Sequence, residues 1–234
     1  MDKLKEARNI LETASWTRNV SGEALDGMLE YAKFRSASRK GYFFHLGDPC
    51  NKFYGLMSGK VRLSVPSKTG DEFIIVDVSK GMWFGAAFLK DTAPRSADAI
   101  ALVDSEVVEI PATVVRAAAE KFPEIYKNLY ADQSLHFRLL CNLMASMLFY
   151  PLKARVATRL LMVISLYGRR EGQSAYLETT LSQSEFAKQA NGSRQQVNRV
   201  FRQWDEEGIV RCADGQYYVP SIARLVDESE STDS

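Results

Sequence analysis

The chain has 234 residues and a formal net charge of +1, with 46% hydrophobic and 25% charged residues. These proportions are those of an ordinary globular protein, and the length suffices for two small domains. Its three cysteines are scattered without a CxxC spacing, which argues against a disulfide framework, a zinc site and an iron–sulfur cluster. The N-terminus lacks a signal-peptide core, and the most apolar helical stretch, 139–148, is too short to span a bilayer. A cytoplasmic location is therefore expected.

Two short amphipathic helices are predicted before residue 36, because apolar residues recur at helical spacing over 4–14 and 25–32. From residue 47 to residue 81 the pattern changes. Glycines at turn signals are 12, 11 and 11 residues apart, with short apolar runs between them. This punctuation is typical of an antiparallel sandwich or jelly roll. The runs 99–103 and 106–110 are expected to add its last strands.

A long helix is predicted from Pro123 to Phe149, roughly 40 Å at about 1.5 Å per residue. Seam residues alternate three and four apart along it, as in a heptad repeat. Such a seam needs a partner. We expect a second copy of the chain, because Gln133 and His136 suit a symmetric interface better than a closed core. The expected dimer seam is Leu129, His136, Leu140, Leu143 and Met147.

The chain is expected to divide into an effector domain over 1–122, a dimerisation helix over 123–150 and a DNA-binding domain with an acidic tail over 151–234. Pro151 marks the last boundary, because proline ends one helix and suits the first turn of the next. The segment 151–224 carries eleven Lys or Arg against seven Asp or Glu, and the last ten residues carry four acids and no base. This distribution is compatible with nucleic-acid binding.

A winged helix-turn-helix is predicted in this last segment. A short helix begins at Ser182, a candidate N-cap whose capping-box partner is Glu185. Asn191-Gly192 breaks that helix, and the segment 193–206 forms the next one with its serine as the cap. A hairpin closed by Asp214-Gly215 follows as the wing. Cap, helix, turn, cap, helix and hairpin together indicate a DNA reader.

The exposed face of the second helix carries the chemistry that DNA bases need. Arginine donates two hydrogen bonds to guanine, and Gln and Asn pair with adenine. The expected base-reading residues are Arg194, Gln195, Gln196, Asn198 and Arg199. The expected DNA-backbone contacts, which fix the register, are Ser182, Ser184, Lys188 and Ser193. Double-stranded DNA with a palindromic operator is therefore the expected partner.

The order of sandwich, long helix and winged helix-turn-helix resembles the Crp/Fnr family of bacterial transcription regulators over nearly the whole chain. The segment 182–200 fits the family's helix-turn-helix without a gap, and 81–85 with 94–97 is similar to its cyclic-nucleotide phosphate cassette. The resemblance implies an α+β fold with an N-terminal antiparallel β jelly roll of the cyclic-nucleotide-binding type. It also implies a homodimer that works with RNA polymerase. Many members have Glu where Gln195 stands, so the half-site is expected to differ from the family's commonest one.

The effector pocket departs from the pattern of the family's cAMP binders. The resemblance implies that Arg95 and Ser96 would hold a cyclic phosphate. Ala86, however, stands where those members have a Glu for the ribose hydroxyl. Leu140 and Cys141 stand where they have hydroxyls for the purine. The expected pocket residues are Phe84, Gly85, Ala86, Arg95, Ser96, Leu140 and Cys141.

Three interpretations of this pocket stay open: an effector other than conventionally bound cAMP, a cyclic nucleotide bound in a modified way, and a vestigial pocket. No certain cofactor, no metal site and no membrane association are predicted. A cupin-type enzyme is not expected, because its metal cluster needs several histidines and the chain has only His45 and His136. A regulatory ligand-binding protein whose helix-turn-helix contacts protein is the remaining alternative.

Overall fold

The computed structural model describes most of the chain. The described residues are 3–68, 72–85, 94–177, 182–213 and 216–232. Contacts divide the chain into two compact units, Met1–Ser134 and Leu135–Ser234. This division falls inside the long helix, whereas the domain boundaries predicted from the sequence lie at its two ends. Those boundaries stay predictions.

The helices of the first unit pack against one side of a β-sheet. They are α1 (Lys3–Glu12), α2 (Gly22–Leu29), α3 (Ala112–Lys121) and the first turns of α4 (Glu124–Phe149), with a 3-10 turn at Ser15–Thr17. Helix α1 and helix α2 lie where the amphipathic spacing predicts them. Leu11, Met28 and Val115 of the helices share one core with Phe53 and Ile110 of the sheet. Burial of these faces against the sheet, rather than helix propensity, stabilises such short helices.

Two four-stranded antiparallel sheets form the predicted sandwich within the described residues. The strands are β1 (Lys33–Ala37), β2 (Tyr42–Phe44), β3 (Lys52–Ser58), β4 (Val61–Pro66), β5 (Glu72–Val78), β6 (Trp83–Phe84), β7 (Asp98–Ala101) and β8 (Ser105–Pro111). Their orders in the two sheets are β1-β8-β3-β6 and β2-β7-β4-β5. A second core joins side chains from both sheets, among them Phe43, Tyr54, Phe84 and Val107. The sandwich interior in this region is therefore aromatic.

The second unit contains the predicted winged helix-turn-helix. Its helices after α4 are α5 (Leu152–Tyr167), α6 (Gln183–Gln189), α7 (Arg194–Glu206) and α8 (Ile222–Glu230). Its strands are β9 (Arg169–Glu171), β10 (Ser174–Leu177), β11 (Arg211–Ala213) and β12 (Gln216–Val219), in the order β11-β12-β10-β9. Phe186, Val197, Trp204 and Tyr217 join the helices and the sheet in one core. The predicted wing turn Asp214-Gly215 lies outside the described residues.

The solvent face of the wing sheet carries a row of four side chains in register. Arg211 pairs with Tyr218, Tyr218 with Tyr176, and Tyr176 with Arg169. The two tyrosine rings lie 4.7 Å apart, and the Arg169 guanidinium lies 5.3 Å from the Tyr176 ring centre. Residues directly opposite one another on neighbouring strands share a face, so this row stiffens the sheet on its outer side.

Helix α4 has 26 residues, which corresponds to a length of about 39 Å at about 1.5 Å per residue. It begins at Glu124, one residue after the predicted start at Pro123, and it ends at Phe149 as predicted. Among the helices of the described residues, none combines the length and the apolar character that crossing a membrane requires.

Candidate functional site

Helix α7 is capped at the residue that the sequence indicates. Ser193 Oγ accepts a hydrogen bond from the Gln196 amide at 3.2 Å, and Gln196 Oε1 accepts one from the Ser193 amide at 3.0 Å. This reciprocal capping box satisfies two otherwise unpaired amides at the helix start. The buried face of α7 is Val197, Val200, Phe201 and Trp204. The helix is therefore anchored on one side, and its first turns present the other side to solvent.

The five predicted base-reading residues separate into two groups. Arg194, Gln195 and Arg199 have exposed side chains. Gln196 is exposed as well, but its Oε1 belongs to the capping box. Asn198 is half-buried, and its Nδ2 donates to Gln183 Oε1 at 2.6 Å. The first three side chains are therefore open to solvent, whereas the other two make hydrogen bonds within the helix-turn-helix.

Gln183, the first residue of α6, is a residue that the sequence reasoning missed. Its hydrogen bond to Asn198 joins α6 to α7. No local pattern marks this contact, because it depends on how two separate helices cross. Among the predicted backbone contacts, Ser184 and Lys188 are exposed. Ser182 accepts the Glu185 amide at 3.3 Å in a second capping box, as predicted.

Steric fit fixes the turn between α6 and α7. Asn191 has a φ of 50°, in the left-handed region that asparagine tolerates better than most residues. The Gly192 amide donates to the Ala187 carbonyl at 2.9 Å. A Cβ atom on Gly192 would lie 2.5 Å from Leu152 Cδ1 of α5. A side chain at position 192 would therefore require the Leu152 side chain of α5 to move.

Arg95, the expected anion-binding residue of the first unit, is engaged by the chain itself. Its side chain is buried, with 3% exposed. Nη1 donates to the Gly85 carbonyl at 2.9 Å and Nη2 to the Lys52 carbonyl at 2.7 Å. The guanidinium also lies 4.2 Å from the Phe44 ring centre and 5.3 Å from that of Tyr54. An arginine held in this way ties β3 to the end of β6.

The other expected pocket residues of the first unit differ in placement. Phe84 is buried and stacks on Tyr54, with ring centres 5.2 Å apart. Gly85 has a φ of 85°, and a Cβ there would meet Arg95 Nη1 at 2.6 Å. Ser96 is exposed, although its neighbour Arg95 is buried. Ala86 lies outside the described residues. The Arg-Ser pair therefore does not point both side chains to one place.

A cluster of charged side chains lies near Tyr54. Glu109 is buried, and its Oε2 accepts from Lys52 Nζ at 2.7 Å. Arg35 Nη1 lies 3.6 Å from Glu109 Oε1. Burial raises the pKa of Tyr54 above its usual value, against the lowering effect of nearby Arg95. No motif marks Glu109, because its partners come from different strands.

The expected seam residues of α4 differ in burial. Leu129 is buried in the core of the first unit, and Leu143 is buried in the second. Leu140 and Met147 are half-buried and His136 is exposed. Cys141, expected in the pocket with Leu140, is exposed. Leu129 and Leu143 therefore pack within their own chain, and the predicted seam stays a prediction.

A neighbouring row on the same helix is apolar and open to solvent. Phe137, Met144 and Leu148 are 68%, 65% and 73% exposed, and Cys141 lies between the first two. Their spacing of four, three and four residues is that of a heptad seam. The row lies one residue further along the chain than the predicted seam, a rotation of about 100° around the helix.

A β-sandwich followed by a long helix and a winged helix-turn-helix with two capped helices defines a class of DNA-binding regulator rather than an enzyme. The Cyclic nucleotide-binding domain family matches residues 34–122, and the Crp-like helix-turn-helix domain family matches 154–228. The Cyclic AMP receptor protein of Thermus thermophilus is 30% identical over 206 residues, which cover 88% of this chain and 92% of that protein. The chain belongs to the Crp/Fnr family of transcription regulators, as the sequence resemblance predicts.

Further comparisons agree with this assignment. A CRP-like cAMP-activated global transcriptional regulator of Mycobacterium tuberculosis is 24% identical over 216 residues, covering 92% of this chain and 96% of that protein. FixK2 from Bradyrhizobium japonicum has a similar fold, with a TM-score of 0.69 and 19% identity over 86% of this chain and 99% of that one. The Catabolite Activator Protein of Thermus thermophilus gives a TM-score of 0.52 and 27% identity over 92% and 98% of the two chains. The predicted fold class is confirmed.

Proposed function

We propose that the protein is a homodimeric, sequence-specific regulator whose two α7 helices read a palindromic operator. The observation that carries this proposal is the exposure of Arg194, Gln195 and Arg199 on the first turns of an anchored helix. Arginine suits guanine O6 and N7, and glutamine suits adenine N6 and N7. In a symmetric dimer the two helices would meet half-sites about 34 Å apart, as in other helix-turn-helix dimers. RNA polymerase is the proposed protein partner, in the cytoplasm.

The residues around α7 have the chemistry for phosphate contacts. Ser184 and Lys188 are exposed on α6. Ser193 keeps its hydroxyl hydrogen available, because its oxygen acts as the acceptor in the capping box. Contacts of this kind fix the register of a reader on DNA without carrying sequence information themselves.

Replacement of one reading arginine tests the proposal. A duplex is selected from a random-sequence library with the wild-type protein, and its affinity for Arg199→Ala is measured. The variant is expected to lose about 1–3 kcal/mol and to relax the preference at one base position. Arg39→Ala, which removes an exposed arginine of the first unit, is the matched control. Equal affinity of wild type and Arg199→Ala for the selected duplex would contradict the assignment.

We propose that the exposed row Phe137, Cys141, Met144 and Leu148 is the core of the dimer seam. Large apolar side chains at heptad spacing on a long helix favour a second helix of the same kind. His136, Leu140 and Met147 would flank this core. A second copy of the chain suits the row, because a repeat of identical residues is self-complementary in a symmetric pair.

We also propose that an effector other than conventionally bound cAMP controls the protein. The support comes from Arg95, whose guanidinium already donates to the Gly85 and Lys52 carbonyls. Two of its five N–H groups are thereby used within the chain, and a ligand that displaced them would leave carbonyls unpaired at a cost of about 1–3 kcal/mol each. Nε of the same guanidinium has no partner among the described residues. A cyclic nucleotide bound in a modified way is the second candidate. It is favoured by the names of two relatives, one a cyclic AMP receptor and the other cAMP-activated.

Thermal unfolding with and without ligand separates the two candidates. A ligand at about 100 times its Kd stabilises a protein by about 2.7 kcal/mol. Millimolar cAMP is expected to leave the melting temperature unchanged. A shift with cAMP that is lost in Arg95→Lys would favour the second candidate instead. A native mass spectrum of freshly purified protein complements this measurement, because a retained effector would add its mass.

A further inference from the structure

A buried polar contact lies beneath the helix-turn-helix. Arg159 of α5 and Gln189, the last residue of α6, are each 2% exposed. Arg159 Nε donates to Gln189 Oε1, and Arg159 Nη1 lies 3.1 Å from Met162 Sδ. The contact joins α5, which supports the reader, to the end of α6, the helix that precedes the turn.

Stability alone does not account for this pair. Burying a guanidinium and an amide costs free energy, and well-packed apolar side chains of similar volume are often as stable or more stable. The cost is visible at Gln189, whose Nε2 has no hydrogen-bond partner among the described residues. A directed hydrogen bond, however, fixes an orientation that apolar packing does not fix.

Gln189 lies next to the turn that leads into α7, so the orientation of its side chain bears on the start of α7. It immediately precedes the turn 190–192, and Ser193 then caps α7. Helix α5 therefore holds the turn region at two points. One is the close approach of Leu152 to Gly192, and the other is the bond from Arg159 to Gln189.

We propose that the bond between Arg159 and Gln189 is a positioning element that sets the angle of α7 and thereby its discrimination between DNA sequences. This inference rests on the proposed reading role of α7. Contacts to base edges need donor–acceptor distances within a few tenths of an ångström and near-linear angles. Attraction to phosphates is electrostatic and tolerates small displacements. A loosened α6 therefore weakens binding to a preferred sequence more than binding to an arbitrary one.

The double variant Arg159→Met/Gln189→Leu tests the proposal, because it removes both polar groups at similar volume. Its melting temperature is compared with that of the wild type. Its Kd is measured for a duplex selected by the wild type and for a scrambled duplex of the same composition. We expect little change in the affinity for the scrambled duplex. The affinity for the selected duplex should fall about tenfold or more, the equivalent of one good base contact.

Two single variants at position 189 complete the test. Gln189→Glu keeps an acceptor for Arg159 and is expected to keep the preference for the selected duplex, whereas Gln189→Ala is expected to lose it. A double variant that retains the preference, or that loses affinity equally for both duplexes, would overturn the proposal. Failure of the double variant to fold would overturn it too, because the pair would then serve stability. If the wild type itself selects no duplex, the reading role of α7 fails first.

Discussion

Arg95 shows how one side chain changes the meaning of a motif. The resemblance to the family's phosphate cassette implies an anion site at the Arg95-Ser96 pair. In the fold, Arg95 is buried, whereas Ser96, at the bend before β7, is exposed. The guanidinium then finds its acceptors in the carbonyls of Gly85 and Lys52. The arginine expected to bind a ligand therefore makes hydrogen bonds within the chain.

Removal of this guanidinium is expected to destabilise the first unit. Arg95→Met leaves the Gly85 and Lys52 carbonyls without their donor, which costs about 1–3 kcal/mol for each unsatisfied group. Urea unfolding followed by tryptophan fluorescence measures the effect, since Trp16 and Trp83 report on this unit and Trp204 on the other. Ser96→Ala is the neighbouring control, because exposed substitutions usually change stability by less than about 0.5 kcal/mol. Equal unfolding midpoints for Arg95→Met and Ser96→Ala would contradict the proposed role of Arg95 in joining β3 to the end of β6.

Individual helices show what local signals predict. The starts of α6 and α7 follow from serine caps with Glu185 and Gln196 three residues on, and both capping boxes are present. Caps are local, so the sequence reveals them. The bond between Gln183 and Asn198 is not local, because it depends on how α6 and α7 cross. The sequence therefore predicts both helices but not which of their polar side chains meet.

The seam of α4 shows the limit of periodicity. Spacing of three and four residues identifies a helix with an apolar seam, but it leaves the facing direction open. Leu129 and Leu143 fit the heptad pattern as well as Phe137 and Met144 do. Only the fold distinguishes them, because the first pair is buried in its own chain and the second is exposed. A shift of one residue is therefore invisible before the packing is known.

A side chain at position 192 is expected to displace the Leu152 side chain. Gly192→Ala is expected to destabilise the second unit by about 1 kcal/mol, the lower end of the effect of overpacking, because the colliding atoms are the end of a flexible side chain. It should also weaken binding to the selected duplex. Thermal unfolding and duplex affinity are measured together. Leu152→Ala in the same chain should restore part of both, because it removes the colliding methyl groups.

A glycine in open space provides the contrast. Nothing lies within 4 Å of a Cβ built on Gly27 in α2. Gly27→Ala is therefore expected to raise stability by about 0.4–1 kcal/mol and to leave DNA affinity unchanged. A similar loss in Gly27→Ala and Gly192→Ala would show that the contact with Leu152 is not the cause.

At the scale of the whole molecule, the exposed row on α4 and the reader on α7 would have different roles in the proposed dimer. The row Phe137, Cys141, Met144 and Leu148 would supply the association, and α7 would supply the recognition. Two linked readers bind a two-site operator more tightly than one reader does, often by a factor of about 10²–10⁴ without any new contact. In the proposed dimer, association would therefore raise affinity as well as provide symmetry.

A charge in the proposed seam is expected to abolish association without changing recognition by α7. Phe137→Glu/Met144→Glu should shift the protein to monomer in size-exclusion chromatography with light scattering, because an unpaired buried charge is costly. The monomer should bind a single half-site duplex as well as the wild type does, since α7 is unchanged. Its affinity for a full palindromic duplex should fall by about tenfold or more, as the avidity of two readers is lost.

Asn142→Glu adds a charge on an exposed face of the same helix beside the row and should remain dimeric. A double variant that stays dimeric would place the seam elsewhere on α4 or on another surface. A monomer with undiminished affinity for the full site would show that recognition by a single α7 suffices.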